Sequence, residues 1–122
     1  MKGLDTNVVI AWLMTDDPLP LEADEQFSIT HVVMAELVWV LDRHFNYPRA
    51  VIADVMSSIL DTPTIMVQAD NIVRKALADY RDRAADFADY LILHQNQNAG
   101  CSVTLTYDKI AARHPGFQLL EG

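Results

Sequence analysis

The sequence predicts an α/β fold in which helices cover a mainly parallel sheet of four or five short strands. Short apolar runs that are typical of strands alternate with longer segments whose apolar residues recur at helical spacing. Such alternation favours parallel strands that are joined through helices. The 122 residues are 51% hydrophobic and 21% charged, a length and composition that fit a single globular domain over residues 1–122.

The first half of the chain is predicted to begin with a very short strand at Lys2–Leu4. Asp5, Thr6 and Asn7 offer side chains that can cap a following helix, which continues through Val8–Met14. The other elements predicted here are a loop at TDDPLP, a short helix at LEADEQF, a strand at FSI, a helix from about His31 to His44 capped by Thr30, and an amphipathic helix over Arg49–Leu60.

The helix from His31 to His44 is apolar on nearly every side, which predicts that it is buried. Glu36 is a carboxylate inside this apolar segment, away from either helix end. Trp39, like Trp12, is expected to pack in the core. The apolar positions are Met34, Leu37, Val38, Leu41 and Phe45 on one stripe, with Val32, Trp39 and Val40 on the other side.

The second half continues the alternation. A helix over Asp86–Asn98 is expected to end at Gly100 and to bury Ala88, Leu91, Ile92 and Gln95. The other elements predicted here are a turn and short strand at TPTIMV, a helix over Asp70–Tyr80, a polar linker at RDRAAD, a strand at CSVTLT, a short helix over Asp108–Arg113 and a last strand at FQLL.

The charge balance argues against simple electrostatic binding of nucleic acid. Nine Lys and Arg residues face 17 Asp and Glu residues, for a net charge of −8, and phosphate contacts need cations. A nucleic-acid role would therefore require metal ions, a local basic patch or a second subunit. The single cysteine, Cys101, cannot form an internal disulfide, which favours a protein of the reducing cytoplasm. We also expect the Cys101 side chain to be buried. We expect no transmembrane or targeting segment.

Four carboxylates are candidates for a common site. Asp5 and Asp108 follow predicted strands, Glu36 lies early in the apolar helix, and Asp89 lies in the first turn of its helix. Sites in parallel sheets gather at the carboxyl ends of strands. Several carboxylates cannot all stay ionised close together without a cation, and Mg²⁺ or Mn²⁺ prefers oxygen ligands. No Cys/His spacing suggests zinc.

Each aspartate also has a purely structural interpretation. Asp5 and Asp108 can be ordinary helix N-caps. Asp86 and Asp89 stand three residues apart at a helix start, which is the spacing of a capping box. The residues alone leave the choice between cap and metal ligand open.

Four segments together resemble the successive motifs of PIN-domain proteins, and within that family the VapC-type toxins of bacterial toxin–antitoxin pairs. These segments are LDTNVVIAWLMTDDP, VVMAELVWVL, ADFADYLI and TLTYDKIAARHPGFQLL. The resemblance runs nearly end to end and implies a three-layer α/β/α fold with a central sheet. The stretch between Pro18 and Thr30 looks shorter than is usual in the family.

The resemblance implies a Mg²⁺- or Mn²⁺-dependent endoribonuclease that leaves 5′-phosphate and 3′-hydroxyl ends. Carried over by position, Asp5, Glu36, Asp89 and Asp108 are the catalytic metal ligands. Thr6, Asn7, Asp86 and Thr106 match supporting polar residues. The family further implies a homodimer held inactive by a cognate antitoxin, with RNA as substrate and no membrane partner.

Few cations remain to contact RNA outside the metal centre. Lys109 and Arg113 lie next to Asp108 and are the best placed to meet phosphate. Arg74, Lys75, Arg81 and Arg83 fit a solvated helix face and linker as well as an RNA track.

Two other functions fit parts of the pattern. A PIN fold can dock RNA or protein without cutting it. A strand-end aspartate such as Asp5 can also accept a phosphoryl group in a hydrolase, although the second aspartate of a D-x-D pair is missing here.

Overall fold

The structure, a computed structural model, describes residues 1–15 and 25–121. These residues divide into two compact units, Met1–Asp70 and Asn71–Gly122. The loop predicted at TDDPLP and the helix predicted at LEADEQF fall largely on residues 16–24, outside the described residues, as does most of the stretch that looks short for the family.

The described residues of the first unit form three parallel strands and three helices. Strand order is β1-β2-β3, with Lys2 opposite Phe27 and Phe27 opposite Ile65. Its elements are β1 (Lys2–Gly3), α1 (Thr6–Met14), β2 (Phe27–Ile29), α2 (His31–Arg43), α3 (Arg49–Leu60) and β3 (Ile65–Val67).

Side-chain caps fix where the first two helices begin. The Asp5 carboxylate accepts a hydrogen bond from the Thr6 backbone at 2.7 Å, and the Thr30 hydroxyl accepts one from the Val33 backbone at 3.2 Å. β1 and β2 are parallel, so the chain leaves both strands at the same sheet edge. The starts of α1 and α2, which pack together, therefore lie near each other.

The second unit holds the remaining elements and a separate pair of parallel strands. β4 runs beside β5, with Thr104 opposite Phe117. The α5 helix ends in a Schellman motif, because Gly100 adopts a φ of 95° and the Cys101 N–H bonds to the Asn96 carbonyl at 2.9 Å. The elements are α4 (Asp70–Asp82, beginning at the unit boundary), α5 (Phe87–Asn98), β4 (Thr104–Thr106), a 3₁₀ turn at Ala111–Arg113 and β5 (Phe117–Leu119).

The sheet differs from the expected single sheet of four or five strands. The described residues form five parallel strands, but in a three-stranded and a two-stranded sheet. Alternation of strands and helices predicts that strands are parallel, yet it does not determine which strands pair. The helix predicted at Asp108–Arg113 is only the 3₁₀ turn, and the CSVTLT strand is only Thr104–Thr106.

Several burial predictions were wrong. In α2, Met34, Leu37 and Leu41 are fully buried, but Val32 and Trp39 are 55% and 63% exposed. Trp12 is half-buried. The α2 sequence is apolar on opposite sides, so periodicity alone could not show that one side meets solvent.

The prediction of which residues of α5 are buried was also partly wrong. Ala88 and Ile92 are exposed, whereas Phe87, Tyr90, Leu91 and Leu93 are buried. Cys101 is exposed, because it follows the glycine that ends α5 and precedes the buried part of β4. In the described part of the chain no helix is both long and apolar enough to cross a bilayer.

Gly116 provides a test of packing in the second unit. A Cβ at this position would lie 2.8 Å from Leu93 Cδ1 and 2.9 Å from Gln97 Nε2, and Leu93 is fully buried. We expect Gly116→Ala to lower the free energy of unfolding by about 1–2 kcal/mol, as overpacking does. Urea denaturation measures the change. Gly3→Ala, which meets nothing within 4 Å, is the control, and equal loss in both variants would contradict the packing argument.

Candidate metal centre and its surroundings

Asp5 and Glu36 are joined through Thr6 in the first unit. Thr6 is 8% exposed, and its hydroxyl donates a hydrogen bond to Glu36 Oε2 at 2.5 Å. The Thr6 backbone N–H donates to Asp5 Oδ1 at 2.7 Å. One nearly buried threonine thus holds two carboxylates, Asp5 at the start of α1 and Glu36 in the second turn of α2.

These carboxylates face solvent. Asp5, Asn7 and Glu36 are all exposed, which corrects the expectation that Glu36 lies inside a buried helix. Glu36 shares the exposed face of α2 with Val32 and Trp39, because residues four and seven apart fall on one side of a helix.

Three aspartates interact in the second unit. Burial raises the pKa of Asp89 above its usual value, and the negative charges of Asp86 and Asp108 raise it further. A backbone hydrogen bond from Asp86 opposes the rise in the Asp89 pKa. Asp86 is the N-cap of α5, although its side chain makes no capping bond.

Asp108 caps the turn that follows β4. Its Oδ1 accepts backbone hydrogen bonds from Ile110 at 2.8 Å and Ala111 at 3.1 Å. The Asp108 backbone N–H donates to the Thr106 hydroxyl at 3.0 Å. Thr106 therefore helps to position the main chain of Asp108.

The three aspartates do not form a tight cluster. Among the described residues, the one group of three or more possible metal ligands whose donor atoms all lie within 4.8 Å is Asp79, His94 and His114. Asp79 Oδ2 lies 2.6 Å from His94 Nε2 and 3.2 Å from His114 Nε2. All three side chains are half-buried.

The hydrogen bonds of His114 argue against this group as a metal site. The Gly116 N–H donates to His114 Nδ1 at 3.0 Å, so Nδ1 has no proton and, in the neutral ring, Nε2 carries it. A protonated Nε2 donates to Asp79 and cannot bind a cation. Burial lowers the pKa of His114 and favours this neutral form.

Sequence reasoning missed this Asp–His–His group. The three side chains come from α4, α5 and the residue after the 3₁₀ turn. No spacing in the sequence indicates the group, because only tertiary packing brings the three together.

Two pockets in the second unit contain the predicted phosphate-binding residues. Lys109 lines a pocket of about 460 Å³ together with Tyr107, which is 69% exposed. Arg113 lines a second pocket of about 230 Å³. That pocket also contains Arg83, which the sequence had placed in a polar linker.

The bond between Thr6 and Glu36 can be measured with a double-mutant cycle. We expect Thr6→Val and Glu36→Ala to couple by about 0.5–1.5 kcal/mol in urea unfolding, because a partly buried hydroxyl loses a charged acceptor. Thr15→Val, at the far end of α1, should show no coupling to Glu36→Ala. Coupling of equal size for both threonines would contradict the contact.

The pKa of Asp89 predicts a pH-dependent stability effect. A raised pKa means that the folded protein resists ionising Asp89, so this residue's contribution to stability falls as the pH rises from about 3.8, the unperturbed value, through the raised value. We expect Asp89→Asn to raise the Tm of metal-free protein by a few degrees at pH 7. Calorimetry should show the gain shrinking as the pH is lowered towards 3.8.

Glu121→Gln is the control for this measurement, since it removes the same charge from an exposed position. An equal gain in Tm for both variants at pH 7 would mean that the gain comes from the smaller net charge and not from the surroundings of Asp89. A gain for Asp89→Asn that is independent of pH would refute the proposed cause.

Comparison with known proteins identifies the family. A search of curated proteins found no match to the chain. The family model for the PIN domain matches residues 3–116, which include all four predicted acidic positions. PIN domains are generally nucleases that act on RNA, usually with divalent metal ions. This chain belongs to the PIN domain family.

Proposed function

We propose that this protein is a metal-dependent endoribonuclease and the toxin of a VapC-type toxin–antitoxin pair. The observation that carries the proposal is the set of carboxylates held by backbone groups at helix starts. Asp5 and Asp108 are both fixed in this way, and Asp89 lies in the first turn of α5. The family match spans both compact units, which supports one PIN domain over residues 1–122.

The residues present fit a hard divalent cation. The negative charges of Asp86 and Asp108 raise the pKa of Asp89, so a cation near these groups would relieve their repulsion. All candidate ligands are carboxylates, the donor type that Mg²⁺ and Mn²⁺ prefer. We propose Asp5, Glu36, Asp89 and Asp108 as the residues that hold it.

The reaction we propose is hydrolysis of an RNA phosphodiester, which leaves a 5′-phosphate and a 3′-hydroxyl. A bound divalent cation would supply Lewis acidity, which lowers the pKa of water and stabilises charge on phosphoryl oxygens. Thr6 keeps the Glu36 carboxylate in one orientation, and the Ile110 N–H does the same for the Asp108 carboxylate. Thr106 instead accepts a hydrogen bond from the Asp108 backbone N–H. Such fixed carboxylates need no reorganisation when charge develops in the transition state.

Exposed apolar side chains support the proposed protein partners. Val32 and Trp39 on α2 and Val51 on α3 are exposed, although most apolar residues of these helices are buried. A second copy of the chain and a cognate antitoxin are the proposed occupants of such surfaces. A reducing cytoplasm, proposed from the single cysteine, is compatible with the exposed Cys101 thiol.

Cleavage of a randomised RNA library tests the catalytic assignment. We expect wild-type protein to cut the library with Mg²⁺ or Mn²⁺ and to stop when EDTA is added. Asp5→Asn and Asp89→Asn should each lower the rate by about 100-fold or more, the scale for losing one electrostatic group from a catalytic centre.

Asp42→Asn, which removes one exposed carboxylate of α2, is the matched control and should cut at the wild-type rate. Equal rates in Asp5→Asn, Asp89→Asn and wild type would contradict the nuclease assignment. RNA binding without cleavage under any metal condition would instead favour a PIN-fold binding module.

A further inference from the structure

The pocket of about 230 Å³ in the second unit concentrates positive charge in an acidic protein. Two arginines, Arg83 and Arg113, line it, although the chain carries only nine Lys and Arg residues and a net charge of −8. They are 30 positions apart in the sequence, as their residue numbers show, so their meeting results from the fold.

The interior of the pocket is ordered by hydrogen bonds. Tyr90 lines it, and the Tyr90 hydroxyl accepts a bond from the buried Ala85 N–H at 3.0 Å. His114 also lines it and is fixed through both ring nitrogens, by the Gly116 N–H and by Asp79. The two arginines, whose own side chains are exposed, therefore line a pocket in which Tyr90 and His114 are fixed by hydrogen bonds.

The charges that face one another here leave an excess of positive charge. Asp79 is the carboxylate at this site, with its Oδ1 3.7 Å from Arg83 Nε and its Oδ2 shared by the imidazoles of His94 and His114. The residues that line the pocket thus include two guanidinium groups and no carboxylate, and Asp79 and Asp108 contact the lining residues from behind. Burial lowers the pKa of His114, the charge of Asp79 opposes this shift, and the charge of Arg83 adds to it.

The pocket borders the acidic residues of the same unit. Ile110 lines the pocket, and its N–H donates to Asp108 Oδ1 at 2.8 Å. Tyr90 follows Asp89 directly in α5. An RNA strand whose scissile phosphate met a cation held by Asp89 and Asp108 would therefore pass close to the two arginines.

We propose that Arg83 and Arg113 form a subsite that binds a phosphate of the RNA backbone next to the scissile one. This proposal rests on the proposed nuclease function. Guanidinium groups present planar, paired donors that match phosphate oxygens. The exposed Ile110 side chain offers an apolar contact for a ribose. The subsite thus supplies, for an acidic protein, the local basic patch that binding of RNA requires.

Binding to a fluorescently labelled single-stranded RNA 12-mer in EDTA tests the subsite without cleavage. We expect Arg83→Gln and Arg113→Gln each to raise the Kd several-fold. Each should also reduce the slope of log Kd against log salt by about 0.7, the value for one phosphate contact on single strands. Arg113→Lys should keep the salt slope of the wild type and should weaken binding less than Arg113→Gln does, because lysine keeps the charge but lacks the paired donors.

Arg43→Gln is the control, since it removes an exposed arginine of the first unit. Equal loss of affinity in this control and in the pocket variants would overturn the subsite. Thermal unfolding of each variant accompanies the measurement, and wild-type affinity in a folded Arg83→Gln or Arg113→Gln protein would also overturn it.

A titration with inorganic phosphate distinguishes free phosphate from a phosphate of the RNA backbone as the ligand of the pocket. Amide shifts at Ala84, Ile110 and Arg113 with the RNA support a backbone subsite, whereas shifts with free phosphate but not with RNA would overturn it. The outcome is separate from that of the nuclease proposal. Binding at the arginines without cleavage refutes the nuclease alone, and metal-dependent cleavage without loss of binding in the variants refutes the subsite alone.

Discussion

The rest of the candidate site depends on one constraint, which is that a carboxylate at a helix start is held by backbone N–H groups. Asp5 accepts from Thr6, and Asp108 accepts from Ile110 and Ala111, in each case through Oδ1. An ionised carboxylate has a second oxygen with lone pairs of its own. Capping and cation binding are therefore compatible uses of the same side chain, and the choice that the sequence left open does not have to be made.

This constraint also explains how an acidic protein tolerates its acidic residues. A helix N-terminus favours negative charge, so Asp5 at the start of α1 and Asp89 in the first turn of α5 are stabilised where they lie. The stabilisation is incomplete at Asp89, whose pKa is raised by burial and by Asp86 and Asp108. The remaining repulsion favours binding of a cation in the second unit. In the proposed arginine subsite, a phosphate would meet positive charge.

Local signals predicted the elements well, because caps and periodicity are local. The bounds of α3, the capping of α2 by Thr30 and the end of α5 at Gly100 all agree with the structure. Features set by packing could not be predicted in this way. The sequence could not show that the strands form two sheets, nor that Trp39 is exposed, and the meeting of Arg83 with Arg113 depends on contacts between distant segments.

The two clusters of ionisable residues in the second unit have different chemistry because their hydrogen bonds differ. At the aspartates the donors are backbone N–H groups, which cannot give up their protons, so the carboxylates stay acceptors and suit a cation. At Asp79 the donors include imidazoles, and the Gly116 N–H fixes the His114 proton on Nε2, facing the carboxylate. The negative charge of Asp79 is therefore used inside the protein, to hold two histidines and Arg83. Arg83 lies beside this carboxylate and stays 41% exposed, so the other donors of its guanidinium group face the pocket side where a phosphate would bind.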